Sequence, residues 1–119
     1  ADRQAMKASQ QIISDGAMMI VFPEGTRQAG DQVQGVFDGT TYLAQKTGAP
    51  IIPIGIGGTE AAMQSGSKGI KRVRCSVVIG EPIPAPVGRM SQPQRREFSE
   101  NVVAELQKVF DRAIETAGD

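Results

Sequence analysis

Histidine is absent from this 119-residue chain, and so is tryptophan. The first absence removes the side chain most often used as a general base near neutral pH. Aromatic residues make up only 4% of the chain, which argues against a surface built to stack nucleobases. No charge of one sign dominates, since 13 basic residues meet 13 acidic ones, and no global field points to nucleic acid. Cys75 is the only cysteine, so an internal disulfide is excluded and a reducing, cytosolic setting is the simple reading. Long apolar runs are also missing. The longest, "AMMIVF" at residues 17–22, falls far short of the roughly 20 residues that span a bilayer as a helix. No signal-peptide pattern opens the chain, which begins "ADRQAM" without an initiating Met. The length suits one domain, and the abrupt start leads us to expect a single domain over 1–119, truncated at its N-terminus.

The apolar residues that are present fall into an alternation of helices and strands. Ala5, Met6, Ala8, Ile12 and Ile13 repeat at helical spacing from residue 2 to about 14, and Gly16 stops the helix. "AMMIVF" reads as a strand covered on both faces, ended by Pro23. Residues 23–38 read as a long loop, and such loops in small domains are usually functional. A short helix over about 40–46 follows, closed by Gly48. "PIIPIGI" is a second strand whose Pro53 suggests an end or an edge, and "RVRCSVVIG" is a third. Ser91 and Gln94 fit a capping box with Pro93 in the first turn. Phe98, Val102, Leu106, Val109, Ala113 and Ala117 then form one apolar stripe of a long helix, suited to packing on a sheet. The fold class expected is α/β, a largely parallel sheet flanked by helices. Three strands leave exposed edges, which strengthens the expectation of truncation.

The chemistry collects where the first strand ends, at "PEGTR". Carboxyl ends of strands are where open α/β sheets gather their functional groups. Gly25 permits a turn that brings backbone amides close to a ligand, and Thr26 adds a hydroxyl donor. Arg27 offers a planar fork for two oxygens of a phosphate or carboxylate. Glu24 would repel a phosphate, so it orients Arg27 or a nearby amide. The residues alone fit a phosphomonoester site and a surface turn with a Glu24–Arg27 ion pair equally well. No P-loop or dinucleotide fingerprint offers another use for the glycines.

"FPEGTR" resembles the phosphate-binding motif of the glycerolipid acyltransferases, the family of 1-acylglycerol-3-phosphate acyltransferases. "APIIPIGIGGTE" is similar to that family's later apolar block, and "VVIGEPI" to its last core strand and exit. "DR" at Asp2 and Arg3 resembles the end of its second motif. The resemblance implies a partial acyltransferase-like αβ domain and transfer of an acyl group from acyl-CoA or acyl carrier protein, with no other cofactor and no metal. The acceptor it implies is the free hydroxyl of 1-acylglycerol-3-phosphate. It further implies that Arg3 and Arg27 hold the acceptor phosphate, with Glu24, Gly25 and Thr26 shaping the loop. Ile51, Ile52, Pro53 and Ile54 would form an apolar block behind the site. The family's general base is the histidine of a His-x-x-x-x-Asp motif, so no catalytic residue is expected within these 119 residues. The expected partners are a lysophospholipid acceptor and an acyl donor, with no nucleic acid. The expected location is the cytoplasmic side of a membrane, peripheral or anchored by segments outside this chain.

One departure keeps rival acceptors open. "GVFDG" carries Asp38 and no lysine where the family often has a basic residue, which allows another lysophospholipid or an amino-acid lipid as acceptor. A non-catalytic phosphate- or lipid-binding module is the reading from a different class. Among the remaining residues, Lys68, Lys71, Arg72 and Arg74 read as a solvated loop leading into a strand. Thr59 and Glu60 fit either a site rim or a helix N-cap. Cys75 reads as a small core residue, and Asp15 and Asp38 as solvated turn residues.

Overall fold

A computed structural model of the chain describes residues 3–22, 38–59 and 74–118. Five elements follow in order: α1 (Arg3–Ser14), α2 (Asp38–Thr47), β1 (Ile54–Gly57), β2 (Ser76–Ile79) and α3 (Gln92–Gly118). Of the expected loop over 23–38, residues 23–37 lie outside the described residues, as do 60–73, and Asp38 instead opens α2.

The helices begin and end as their sequences dictate. Past Ser14, the Ala17 N–H donates to the Ile12 carbonyl at 3.2 Å and the Gly16 N–H to the Ile13 carbonyl at 3.0 Å. This nested pair is the hydrogen-bond pattern of a Schellman ending. α2 closes at Gly48, whose φ of +75° suits a residue without a side chain and lets its N–H reach the Ala44 carbonyl at 2.8 Å. α3 opens with a reciprocal capping box. The Ser91 N–H donates to Gln94 Oε1 at 2.8 Å, and the Gln94 N–H donates to Ser91 Oγ at 3.3 Å.

α3 has 27 residues, hence a length of about 40 Å at 1.5 Å per residue, and it carries most of the packing. Its first half buries Phe98 and Val102 in a cluster with Ala44 of α2, Ile83 and Met90; Ile51 and Leu106 pack against the cluster. Its second half buries Val109 and Ala113 against β1. There the approach is so close that only glycine fits. A Cβ on Gly55 would collide with the Val109 carbonyl group, and one on Gly57 with the Ala113 carbonyl group.

β1 and β2 pair antiparallel, with Ile54 opposite Ile79 and Gly57 opposite Ser76. This corrects the expected parallel arrangement for the described strands. The burial pattern explains the difference. β1 alternates exposed Ile54 and Ile56 with buried Gly55 and Gly57, the one-sided pattern of an antiparallel strand rather than a strand covered on both faces. The pairing continues past the strand ends. The Gly80 N–H donates to the Pro53 carbonyl at 2.9 Å, and Ile51 and Ile83 exchange bonds at 2.9 and 2.7 Å. Ile52 alone separates the bonded positions on one side, while Glu81 and Pro82 separate them on the other, so a β-bulge absorbs Pro82.

A second correction concerns "AMMIVF". Residues 17–22 belong to no strand, and Met18, Ile20 and Phe22 are 89%, 79% and 76% exposed. Apolar content and length described a buried strand, but burial requires a neighbouring strand, and none of the described strands pairs with this segment.

Two substitutions test the architecture. Gly55→Ala drives a methyl into helix backbone that cannot rotate away, and should lower unfolding stability by about 2 kcal/mol or more. Ser91→Ala removes only a cap and should cost about 1 kcal/mol, or about 4 °C in Tm. Equal losses in thermal and urea unfolding would contradict the close helix–strand contact.

Candidate functional site

The described residues include only part of the expected site. Arg3 is the first residue of α1, and its side chain is exposed. α1 packs along α2 rather than into the core, and none of its residues is buried. A guanidinium here is therefore carried at the end of a surface helix, solvated and able to meet an anion. Asp2, Glu24, Gly25, Thr26 and Arg27 lie outside the described residues.

The apolar block divides between two sides. Ile51 is half-buried against the core cluster, and Pro53 is among the largest fully buried residues. Ile52 and Ile54 point the other way, each 46% exposed. The outer face of the sheet continues with Ile56 of β1 and with Val77 and Ile79 of β2, all exposed. Strand pleating explains the division, since successive side chains alternate between the α3 side and the outer side. One half of the block is thus core, and the other half belongs to an uncharged apolar surface. Residue spacing carried this information, because "IIPIGI" places isoleucine at every second position from Ile52.

Beyond the carboxyl end of β1, Gly58 turns with a φ of +89° and Thr59 is half-buried. Glu60, Lys68, Lys71 and Arg72 lie outside the described residues, while Arg74 is described and exposed. Cys75 is exposed as well, which corrects the expectation of a core thiol. It lies one residue before β2 and outside the paired register. Asp15, read as a solvated turn residue, accepts a hydrogen bond from Gln11 Nε2 at 2.9 Å. Asp38 opens α2, with its side chain outside the described residues. A shallow hollow beside Gly80 is lined by Glu81, Glu105, Lys108, Asp111 and Arg112. Its mixed charges, with Lys108 Nζ 3.1 Å from Glu105 Oε1, make it an ordinary solvated face. Among the described residues no group of three or more His, Cys, Asp or Glu could hold a metal ion. No helix among them is long and apolar enough to cross a membrane.

The family model described as Acyltransferase matches residues 1–57, a stretch that contains Arg3, the 24–27 run and the apolar block. The chain is 35% identical over 79 residues to the chloroplastic 1-acyl-sn-glycerol-3-phosphate acyltransferase BAT2 of Brassica napus, covering 66% of this chain and 23% of that protein. It is 34% identical over 79 residues to the chloroplastic LPAT1 of Arabidopsis thaliana, covering 66% of this chain and 22% of that protein. Its structure is similar to the crystal structure of the 1-acyl-sn-glycerophosphate (LPA) acyltransferase PlsC from Thermotoga maritima. That match has a TM-score of 0.69 at 27% identity, over 89% of this chain and 44% of PlsC. The chain belongs to the glycerolipid acyltransferase family. Its α/β architecture is acyltransferase-like, with the antiparallel β1–β2 pair as the described sheet. The chain spans about a quarter of the length of the plant acyltransferases and less than half of PlsC.

Exposure of Cys75 gives a direct check on this part of the structure. The native chain should react with an aromatic disulfide reagent at one thiol, at a rate within about tenfold of the unfolded chain. A thiol that reacts only after denaturation would restore the core assignment.

Proposed function

We propose that this chain carries the acceptor-binding half of an enzyme that acylates 1-acylglycerol-3-phosphate, with acyl-CoA or acyl carrier protein as donor. The observation that supports this most is the family match over 1–57, which brings Arg3, Glu24, Gly25, Thr26 and Arg27 within one matched stretch. The relatives named as 1-acyl-sn-glycerol-3-phosphate acyltransferases support the choice of acceptor.

In this reading, Arg27 and Arg3 take the two negative charges of the acceptor phosphate. Arg27 offers paired N–H groups and Arg3 a second cation. Gly25 and Thr26 shape the loop, and Glu24 fixes the guanidinium of Arg27. Holding the phosphate orients the acceptor hydroxyl toward the donor, which converts a bimolecular encounter into a positioned one. The hydroxyl oxygen attacks the thioester carbonyl, a C–O bond forms, and the C–S bond breaks. The hydroxyl proton passes to a base, and the thiol leaves with one proton. The 119 residues contain no histidine, so a base from outside them completes the reaction. Lipid substrates place the working enzyme at the cytoplasmic face of a membrane, in peripheral contact through segments other than those described.

Two measurements test the reading. Arg27→Ala in the active enzyme should raise the acceptor KM about 10- to 100-fold, the effect of losing a charge-assisted hydrogen-bond pair, and leave the donor KM within about twofold. An unchanged acceptor KM would remove Arg27 from the phosphate site. The 119-residue chain by itself, given acyl-CoA and lysophosphatidate, should show no transfer above the uncatalysed rate. Robust turnover would sink the assignment of this chain to the acceptor half.

A further inference from the structure

The end of α2 and the beginning of α3 meet at one surface. Gln45 Nε2 of α2 donates to the Gly88 carbonyl at 3.5 Å, which sets the connection between β2 and α3 beside α2. Ile83 and Met90 are buried in the core cluster, so the stretch between them is held at both ends. Pro84 and Pro86 restrict its backbone further. Val87 stands on this held tip and is 100% exposed.

Cations surround that apolar tip. Arg89 follows it closely, and Arg95 and Arg96 stand near the start of α3. Arg95 extends the Phe98–Val102 stripe one turn toward the helix start, and that stripe meets Ala44 of α2. Lys46 completes the set from α2. Its Nζ lies 5.7 Å from the centroid of the Tyr42 ring, a cation–π arrangement that restrains the long side chain. All four cations are exposed, and none is in an ion pair with another described residue. The chain carries no acid between Glu81 and Glu97. Arginines near a helix start also oppose the helix dipole, and no acid in the first turn of α3 offsets them.

We propose that this surface docks an acidic acyl carrier protein, from which the enzyme takes its acyl group. The proposal rests on the acyltransferase reading and selects between the two donors named there. A fully exposed apolar residue ringed by cations is complementary to an acidic surface with a small apolar centre. The nucleotide of acyl-CoA matches less well, because its phosphates need cations converging on one point, whereas these four are spread over two helices and the connection between them. The held tip and the Tyr42-restrained lysine lose little freedom on binding, which favours a rigid protein partner. Placement fits a carrier as well. α2 runs from Gly39, packed 3.5 Å from Met6 of α1, to Lys46, about 10 Å further along its axis. A carrier seated at the Lys46 end is one short helix away from the start of α1 that bears Arg3. The flexible phosphopantetheine arm spans that gap while the carrier stays on the surface.

Charge reversal at the start of α3 tests the surface without endangering the fold. Arg95→Glu with Arg96→Glu puts acids where the helix dipole favours them. In the active enzyme this double variant should raise the KM for a palmitoyl-loaded acyl carrier protein about tenfold or more, and leave those for palmitoyl-CoA and for the acceptor within about twofold. The carrier KM of the unmodified enzyme should also rise with added salt. Equal effects on both donors, or no effect on the carrier, overturn the proposal. Docking is also read without turnover, so its failure is separable from failure of the acyltransferase reading. Titration of the unloaded carrier protein into the isotope-labelled full chain should shift the amide resonances of Lys46, Val87, Arg89, Arg95 and Arg96. No shift, shifts confined to other residues, or shifts caused by anionic phospholipid vesicles and not by the carrier likewise overturn it.

Discussion

The described structure depends on the contact between the backbone of α3 and the two glycines of β1. Gly55 and Gly57 offer no side chain toward the helix, so Val109 and Ala113 approach the strand backbone itself. This contact fixes which side of the sheet is inside. It turns Ile54 and Ile56 outward, aligns β2 through the register that begins at Ile54–Ile79, and aims the apolar stripe of α3 at the core around Val102. A bulkier residue at either glycine would separate the helix from the strand and disturb all three consequences together.

Local chemistry was legible in the sequence to the extent that it is local. The capping box of Ser91 and Gln94, the glycine endings of α1 and α2, and the stripe from Phe98 to Ala113 each involve residues within a turn or along one helix face. Pairing was not legible, because it depends on neighbours distant in the chain. The run "AMMIVF" has the content of a buried strand, yet content does not provide a partner. The parallel arrangement failed for β1 and β2 because the glycine–isoleucine alternation, a one-sided pattern, was outweighed by the order of elements. Cys75 failed for a similar reason, since alternation was extended one residue beyond the paired register.

The candidate site shows the same division. Its motif at Glu24–Arg27 could be picked out because four polar groups following an apolar run are a local signal, while their arrangement lies outside the described residues. The apolar block from Ile51 to Ile54 was readable only as apolar. Strand pleating then assigned Ile51 and Pro53 to the core and Ile52 and Ile54 to the surface. These four residues are therefore not equivalent, and a substitution at Pro53 perturbs packing where one at Ile52 alters an open face.

α3 joins two packing regions with one rigid body. Phe98 and Val102 hold its first half in the core beside α2, and Val109 and Ala113 hold its second half against β1. A helix of this length is stiff over the seven-residue interval between Val102 and Val109, about 10 Å along its axis. A tilt imposed at either end is therefore passed to the other as a lever arm rather than absorbed by a hinge. The seating of α2, and with it the position of α1 and Arg3, is mechanically linked to the seating of the strand pair at the far end of α3.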